Sequence, residues 1–283
     1  MKKSLIIAIL TVLILPATKS FAQEFRYGAS IFKHELVNPA YRFENNLVDI
    51  NALYCIPVSS DQEYNNTNLN LHSQFMDNMG VGLKANYSTP SDKRTAISGG
   101  LTYNYNLNFA DNKHTIVFGI GGGVDMDKFD SELKNNNPEI KDMTKGYAEI
   151  GLAYKFDNLK VGVSSKLMFR DDVEYNIYTF AKYDINIIEG FKIAPIVSYV
   201  AYSNYQGGND LKGIADAGLL FGYKKYVEIG ATYASNDIVN TFASVWASDY
   251  ARIFYSGGIA ISEEQQNIAK LRNEIGIRFI LGK

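Results

Sequence analysis

The chain has 283 residues, with 28 Lys+Arg against 30 Asp+Glu and a formal net charge of −2. That balance speaks against a nucleic-acid partner, whose binding needs a basic surface. The lone Cys55 rules out an intramolecular disulfide and a cysteine-built zinc site.

The first element is an export signal. Lys2 and Lys3 precede an apolar run from Leu5 to Leu15, Pro16 ends it, and Ser20-Phe21-Ala22 places small residues where signal peptidase reads. The run is too short to span ~30 Å of hydrocarbon as a helix, which takes ~20 apolar residues. Residues 1–22 are therefore expected to be removed. Residues 23–46 break any strand pattern and are expected to form an irregular lead-in, periplasmic or inserted in a lumen. They contain Phe25, Tyr27, Phe32, Leu36 and Asn38-Pro39-Ala40-Tyr41.

From residue 47 to residue 283 the periodicity is two. In Leu159 to Phe169, Leu159, Val161, Val163, Leu167 and Phe169 alternate with Lys160, Gly162, Ser164 and Lys166. Fourteen such segments are expected, at 47–55, 67–75, 79–88, 95–108, 114–125, 146–156, 159–169, 177–187, 191–203, 213–222, 226–235, 240–247, 251–262 and 271–281. Most run about 9–12 residues, longer than a soluble strand and suited to a tilted membrane strand. Connections after even segments are short, such as Asp157-Asn158, while those after odd segments are mostly longer, such as 56–66, 126–145 and 204–212. The pattern predicts an all-β fold: a transmembrane antiparallel barrel with short periplasmic turns, longer extracellular loops and both termini in the periplasm. One side of each strand faces lipid. Lys84, Glu149, Lys160, Lys166, Lys182, Asp184, Glu228, Arg272, Glu274 and Arg278 fall on the other, luminal side. Tyr87, Tyr103, Tyr154, Tyr223, Tyr226 and Tyr250 suit interfacial girdles.

Few motifs suggest chemistry. Gly119-Ile120-Gly121-Gly122-Gly123 does not fit a phosphate loop, and glycines in a barrel strand permit close backbone approach. Asp125, Asp127, Asp130 and Glu132 lack the spacing of a calcium loop and read as a solvated acidic loop. His34, His72 and His114 show no spacing that would bring them together. No catalytic residue, cofactor site or metal site is expected, and the chain does not read as an enzyme.

Three stretches resemble the PorP/SprF family of type IX secretion outer-membrane proteins: Leu36-Val37-Asn38-Pro39-Ala40-Tyr41, the strand ending in Ala52-Leu53-Tyr54, and Asn68 to Ser73 followed by Asp77 to Leu83. Arg42-Phe43 stands where the family continues with Ala-Gly. The resemblance implies a barrel of Bacteroidota outer membranes with a role in secretion and gliding. Its partners would be a large adhesin-like surface protein, bound through its C-terminal domain, and secretion or motor components. It also marks Asn38, Pro39, Ala40 and Tyr41 as a motif that acts structurally or in partner contact. A porin or small-solute channel is the alternative reading of the same barrel.

Overall fold

The two-residue alternation becomes, in space, an outside and an inside. In a computed structural model the strands form one sheet that closes on itself, because the first strand pairs with the last from Val48↔Leu281 to Cys55↔Glu274. The structure describes residues 28–43, 47–56, 65–91, 94–109, 113–138, 140–169, 173–203, 212–263, 266 and 273–282. The signal, the first five residues of the lead-in, Arg272 and most of the 56–66, 204–212 and 263–270 connections lie outside these residues.

In chain order the strands are β1 Val48–Cys55, β2 Asn65–Met76, β3 Met79–Ser91, β4 Arg94–Phe109, β5 His114–Phe129, β6 Met143–Phe156 and β7 Leu159–Phe169. They continue as β8 Val173–Tyr183 with Ile185–Ile188, β9 Phe191–Tyr202, β10 Lys212–Tyr223, β11 Val227–Ala234, β12 Ile238–Trp246, β13 Ala251–Ala260 and β14 Glu274–Leu281. All pair antiparallel with their neighbours, giving the fourteen strands expected. β8 is one strand interrupted at Asp184, since its pairing with β9 keeps one register on both sides, Ile196↔Lys182 and Ile193↔Ile185. The cause is Pro195 of β9, which has no amide to give to the ladder at that level.

The strands extend further at the loop end than the sequence suggests. β4 and β5 have 16 residues each, whereas β1, β11 and β14 have 8. At ~3.3 Å per residue the tall wall is about twice the height of the low one. The expected 126–145 loop shrinks to 130–142, where Asp130 caps a short helix α1, Ser131–Asn136, through the Glu132 amide. The connections expected at 89–94 and 170–176 shrink likewise. Asp125 and Asp127 are therefore not a solvated loop. They are inward-facing strand residues, in ion pairs with Lys166 at 2.9 Å and with Arg94 and Lys145 at 2.9 and 3.2 Å.

The outer face carries Leu101, Ile120, Ile150, Ile229, Ile253 and Ile275, all exposed. At the turn end of this face His114 stacks on Phe156 at 4.4 Å and meets the Tyr154 hydroxyl at 2.7 Å, the amphipathic arrangement of an interfacial girdle. Ile150→Lys places a charge on the lipid face of β6, 58% exposed in the bare chain. In unfolding titrations from phospholipid vesicles it is expected to cost about 2–4 kcal/mol. Ser164→Lys, inward on β7, escapes that lipid penalty.

Candidate functional site: a segment seated across the lumen

A barrel of fourteen strands encloses space that needs filling or water. Here residues 28–43 run through it, with 3-10 turns at Gly28–Ile31 and His34–Leu36. The segment is almost wholly buried. Ala29, Ile31, Phe32 and Leu36 pack against inward-facing Leu53 of β1, Ala194 and Ile196 of β9, Leu220 of β10, Phe242 of β12 and Phe254 of β13. Phe32 stacks on Phe242 at 4.9 Å. Lys33 lies over Phe242 and Phe254 at 5.7 and 5.6 Å. Each large apolar side chain buried this way contributes about 1.5–3 kcal/mol.

A segment without strand pairing must satisfy its backbone elsewhere, and the wall supplies partners around the circumference. Glu274 of β14 accepts the Ala29 amide at 2.8 Å. The Tyr178 hydroxyl of β8 donates to the Ser30 carbonyl at 3.2 Å and lies 2.8 Å from His34 Nδ1, whose ring stacks on Phe180. Asn70 of β2 donates to the Glu35 carbonyl, Ser164 of β7 to the Val37 carbonyl and Asn106 of β4 to the Arg42 carbonyl. Arg42 reaches back to Asn70. His72, inward on β2, meets Asn104, which donates to Asn106 and so steadies that anchor.

The Asn38-Pro39-Ala40-Tyr41 motif sits at the tightest point. Asn38 is fully buried; its Oδ1 accepts the Ala40 amide at 2.8 Å and its Nδ2 donates to the Val163 carbonyl at 3.3 Å. Opposite stand Gly119 of β5 and Gly151 of β6, paired across the ladder. A Cβ on Gly119 would fall 2.4 Å from the Ala40 nitrogen and 2.5 Å from the Pro39 carbonyl carbon; one on Gly151 would fall 2.4 Å from Asn38 Oδ1. Two glycines side by side thus admit the motif's backbone against the wall. Tyr41 packs edge-on to His34, Phe43 and Phe180.

The charges expected inside are inside, apart from Arg272, which lies outside the described residues. Lys84 bonds Glu149 at 2.6 Å, Glu228 pairs with Lys192 at 3.0 Å and with Arg252, and Arg278 pairs with Asp49 at 2.6 Å. The three histidines have separate partners, and no metal-binding group occurs among the described residues. Sequence reasoning put Glu274 and Ser164 on the luminal side and allowed close approach at Gly119, but did not mark them, or Asn70, Asn106 and Gly151, as anchors of the segment. The asparagines had a readable signal, recurring at every second position in Asn66-Asn68-Asn70 and Asn104-Asn106-Asn108.

Gly119→Val and Gly151→Leu are expected to loosen the segment, seen as faster hydrogen exchange of the 29–42 amides in an otherwise folded barrel. Gly99→Ala, with open space around its Cβ, leaves exchange unchanged. Asn38→Ala removes two bonds at a buried site and is expected to lower the local opening free energy by about 1–3 kcal/mol.

Comparison with known proteins places this architecture. No curated protein matches the chain in sequence. Among solved structures, the CymD monoaromatic hydrocarbon channel is similar at a TM-score of 0.55 and 10% identity, over 95% of this chain and 95% of that one. The outer membrane protein Omp33 of Acinetobacter baumannii gives 0.48 and 8%, over 83% and 98%. The toluene transporter TbuX of Ralstonia pickettii gives 0.49 and 8%, over 89% and 92%. At 10% identity the likeness to the CymD channel concerns the β-barrel fold alone. Residues 20–279 match the type IX secretion system membrane proteins PorP/SprF, a secretion family and not an enzyme family. The match spans nearly the whole chain, which therefore belongs to the PorP/SprF family.

Proposed function

We propose that the chain is a closed docking barrel of type IX secretion, which holds a large adhesin-like surface protein through that protein's C-terminal domain. The observation that carries this reading is the segment 28–43, anchored to strands on every side of the lumen. A channel must leave a path; here residues 28–43 lie across the lumen and pack buried aromatic and aliphatic side chains against the wall. The CymD channel and the paired luminal charges suggest a porin, but a segment bonded to β2, β4, β7, β8 and β14 disfavours it.

In this reading residues 1–22 are a removed signal, residues 28–43 of the lead-in are the lumen filling, and the turn end with both barrel termini faces the periplasm and the motor components. Asn38, Pro39, Ala40 and Tyr41 serve structurally, as the fitted part of that filling. The docking surface is the loop end, where the tall wall of β3–β6 rises above the low wall. The 130–142 connection crowns it and is folded back on β5: Asp142 accepts the Phe129 amide at 2.8 Å and an ion pair from Lys134 at 3.2 Å. These contacts hold the Asp142 carboxyl below the usual carboxylate range. The arrangement therefore persists at neutral pH and loosens only as pH falls through that lowered value. A rim of strand ends and pinned loop can take up an extended partner segment.

Purification from native outer membrane in mild detergent is expected to recover a large surface protein, retained through its C-terminal domain. Replacing 130–142 by a short turn is expected to lose that protein while the barrel keeps its heat-modifiable migration. Recovery of the barrel alone from native membranes would contradict the docking reading.

A further inference from the structure

On the turn side of the seated segment the lumen wall carries an unusual row of charge. Lys155 of β6 stands opposite Lys160 of β7, and Lys160 stands opposite Lys182 of β8. All three point inward. Like charges directly opposite one another destabilise a sheet, so packing gives no reason for this row. Among the described residues a single carboxylate lies within ion-pair distance of the row: Asp184, 3.6 Å from both Lys160 and Lys182. Lys155 has no ion-pair partner among the described residues.

The rest of the belt at this level does not absorb the surplus. Glu228 is already shared between Lys192 and Arg252, and Asp49 is held by Arg278. Arg252 and Arg278 also face each other across β13 and β14. Among the described strand residues, six cations thus line the turn-end half of the lumen against three carboxylates. The plug places the buried side chains of Lys33, Glu35 and Arg42 above them.

We propose that this row is a binding site for an acidic, extended polypeptide segment that enters from the turn end. Three observations select that ligand. The row lies four residues turnward of Gly151 on β6 and of Ser164 on β7, both of which touch the seated segment, so access from the loop end is blocked. It lies on the inner wall, which screens it from lipid headgroups of the surrounding leaflet. Its three lysines on adjacent strands span roughly 10 Å, and same-face carboxylates of an extended chain recur every ~6.6 Å. Two carboxylates therefore fit along the row, where one inorganic phosphate meets a single lysine pair. The inference concerns the turn end and is independent of what docks at the loop end.

The test uses the full chain in detergent and a fluorescent short peptide of alternating Glu and Thr, read by anisotropy. Saturable, salt-sensitive binding is expected, with none for the Gln-Thr peptide. The double variant Lys155→Gln/Lys160→Gln is expected to bind at least about tenfold more weakly, and Lys84→Gln, whose ion pair lies loopward, to bind as the wild type does. The double variant should also melt at or above the wild-type temperature, because repulsion has been removed. Unchanged peptide affinity in the double variant, or complete displacement of the peptide by an equal concentration of inorganic phosphate, would overturn the proposal. So would a lower melting temperature in the double variant, which would give the lysines a structural role.

Discussion

In hydrocarbon no water is available to the backbone, so every N–H and C=O of the wall must be satisfied within the sheet. The pairing of β1 with β14 meets that demand, from Val48↔Leu281 to Cys55↔Glu274. Everything else follows from closure. A closed sheet has an outside that must be apolar and an inside that need not be. Charges such as Glu149 and Lys166 are then admissible at every second position, provided each finds a partner, as they do in Lys84 and Asp125. The inside becomes a separate chemical compartment, and its contents determine whether the barrel conducts or only holds.

Here the contents are part of the same chain. The seated segment is shaped by the wall as much as by its own sequence. Its apolar residues face the β9–β13 side, where Ile196, Leu220 and Phe242 point inward. Its carbonyls face the β2–β8 side, where asparagine, serine and tyrosine side chains wait. Gly119 and Gly151 set how closely the backbone can approach. An uncovered lumen would not need inward-facing Phe242, Phe254 and Phe180. Their presence marks a wall built around an occupant. The occupant leaves ion pairs such as Lys84–Glu149 and Lys166–Asp125 on its loop side and the row of Lys155, Lys160 and Lys182 on its turn side.

Much of the fold was legible in the sequence because alternation is a direct consequence of two solvents. The face assignment of Lys160, Glu228 or Arg278 needed only a period of two. Strand ends were harder to read, for a physical reason. Near the loop end the wall rises beyond the bilayer, so both faces tolerate polar residues and the contrast fades. Asp125, Asp127 and Lys145 therefore read as loop, although each is an ordered inward residue with a partner on another strand. The site was less legible. Asn38 to Tyr41 stood out through family resemblance, but what it fits is assembled from β5, β6 and β7, up to 125 residues away in sequence. The run at Gly119 was readable as a place of close backbone approach, but nothing in the sequence said that Asn38 to Tyr41 is what approaches it, or that Gly151 stands beside it.

The central claim is that residues 28–43 close the lumen. Its most direct test is single-channel recording in planar bilayers of the intact chain beside a variant lacking those residues. A silent intact protein and a conducting deletion variant are predicted. Steady, ohmic conductance by the intact chain, equal to that of the variant, would contradict the account and leave an open pore in its place.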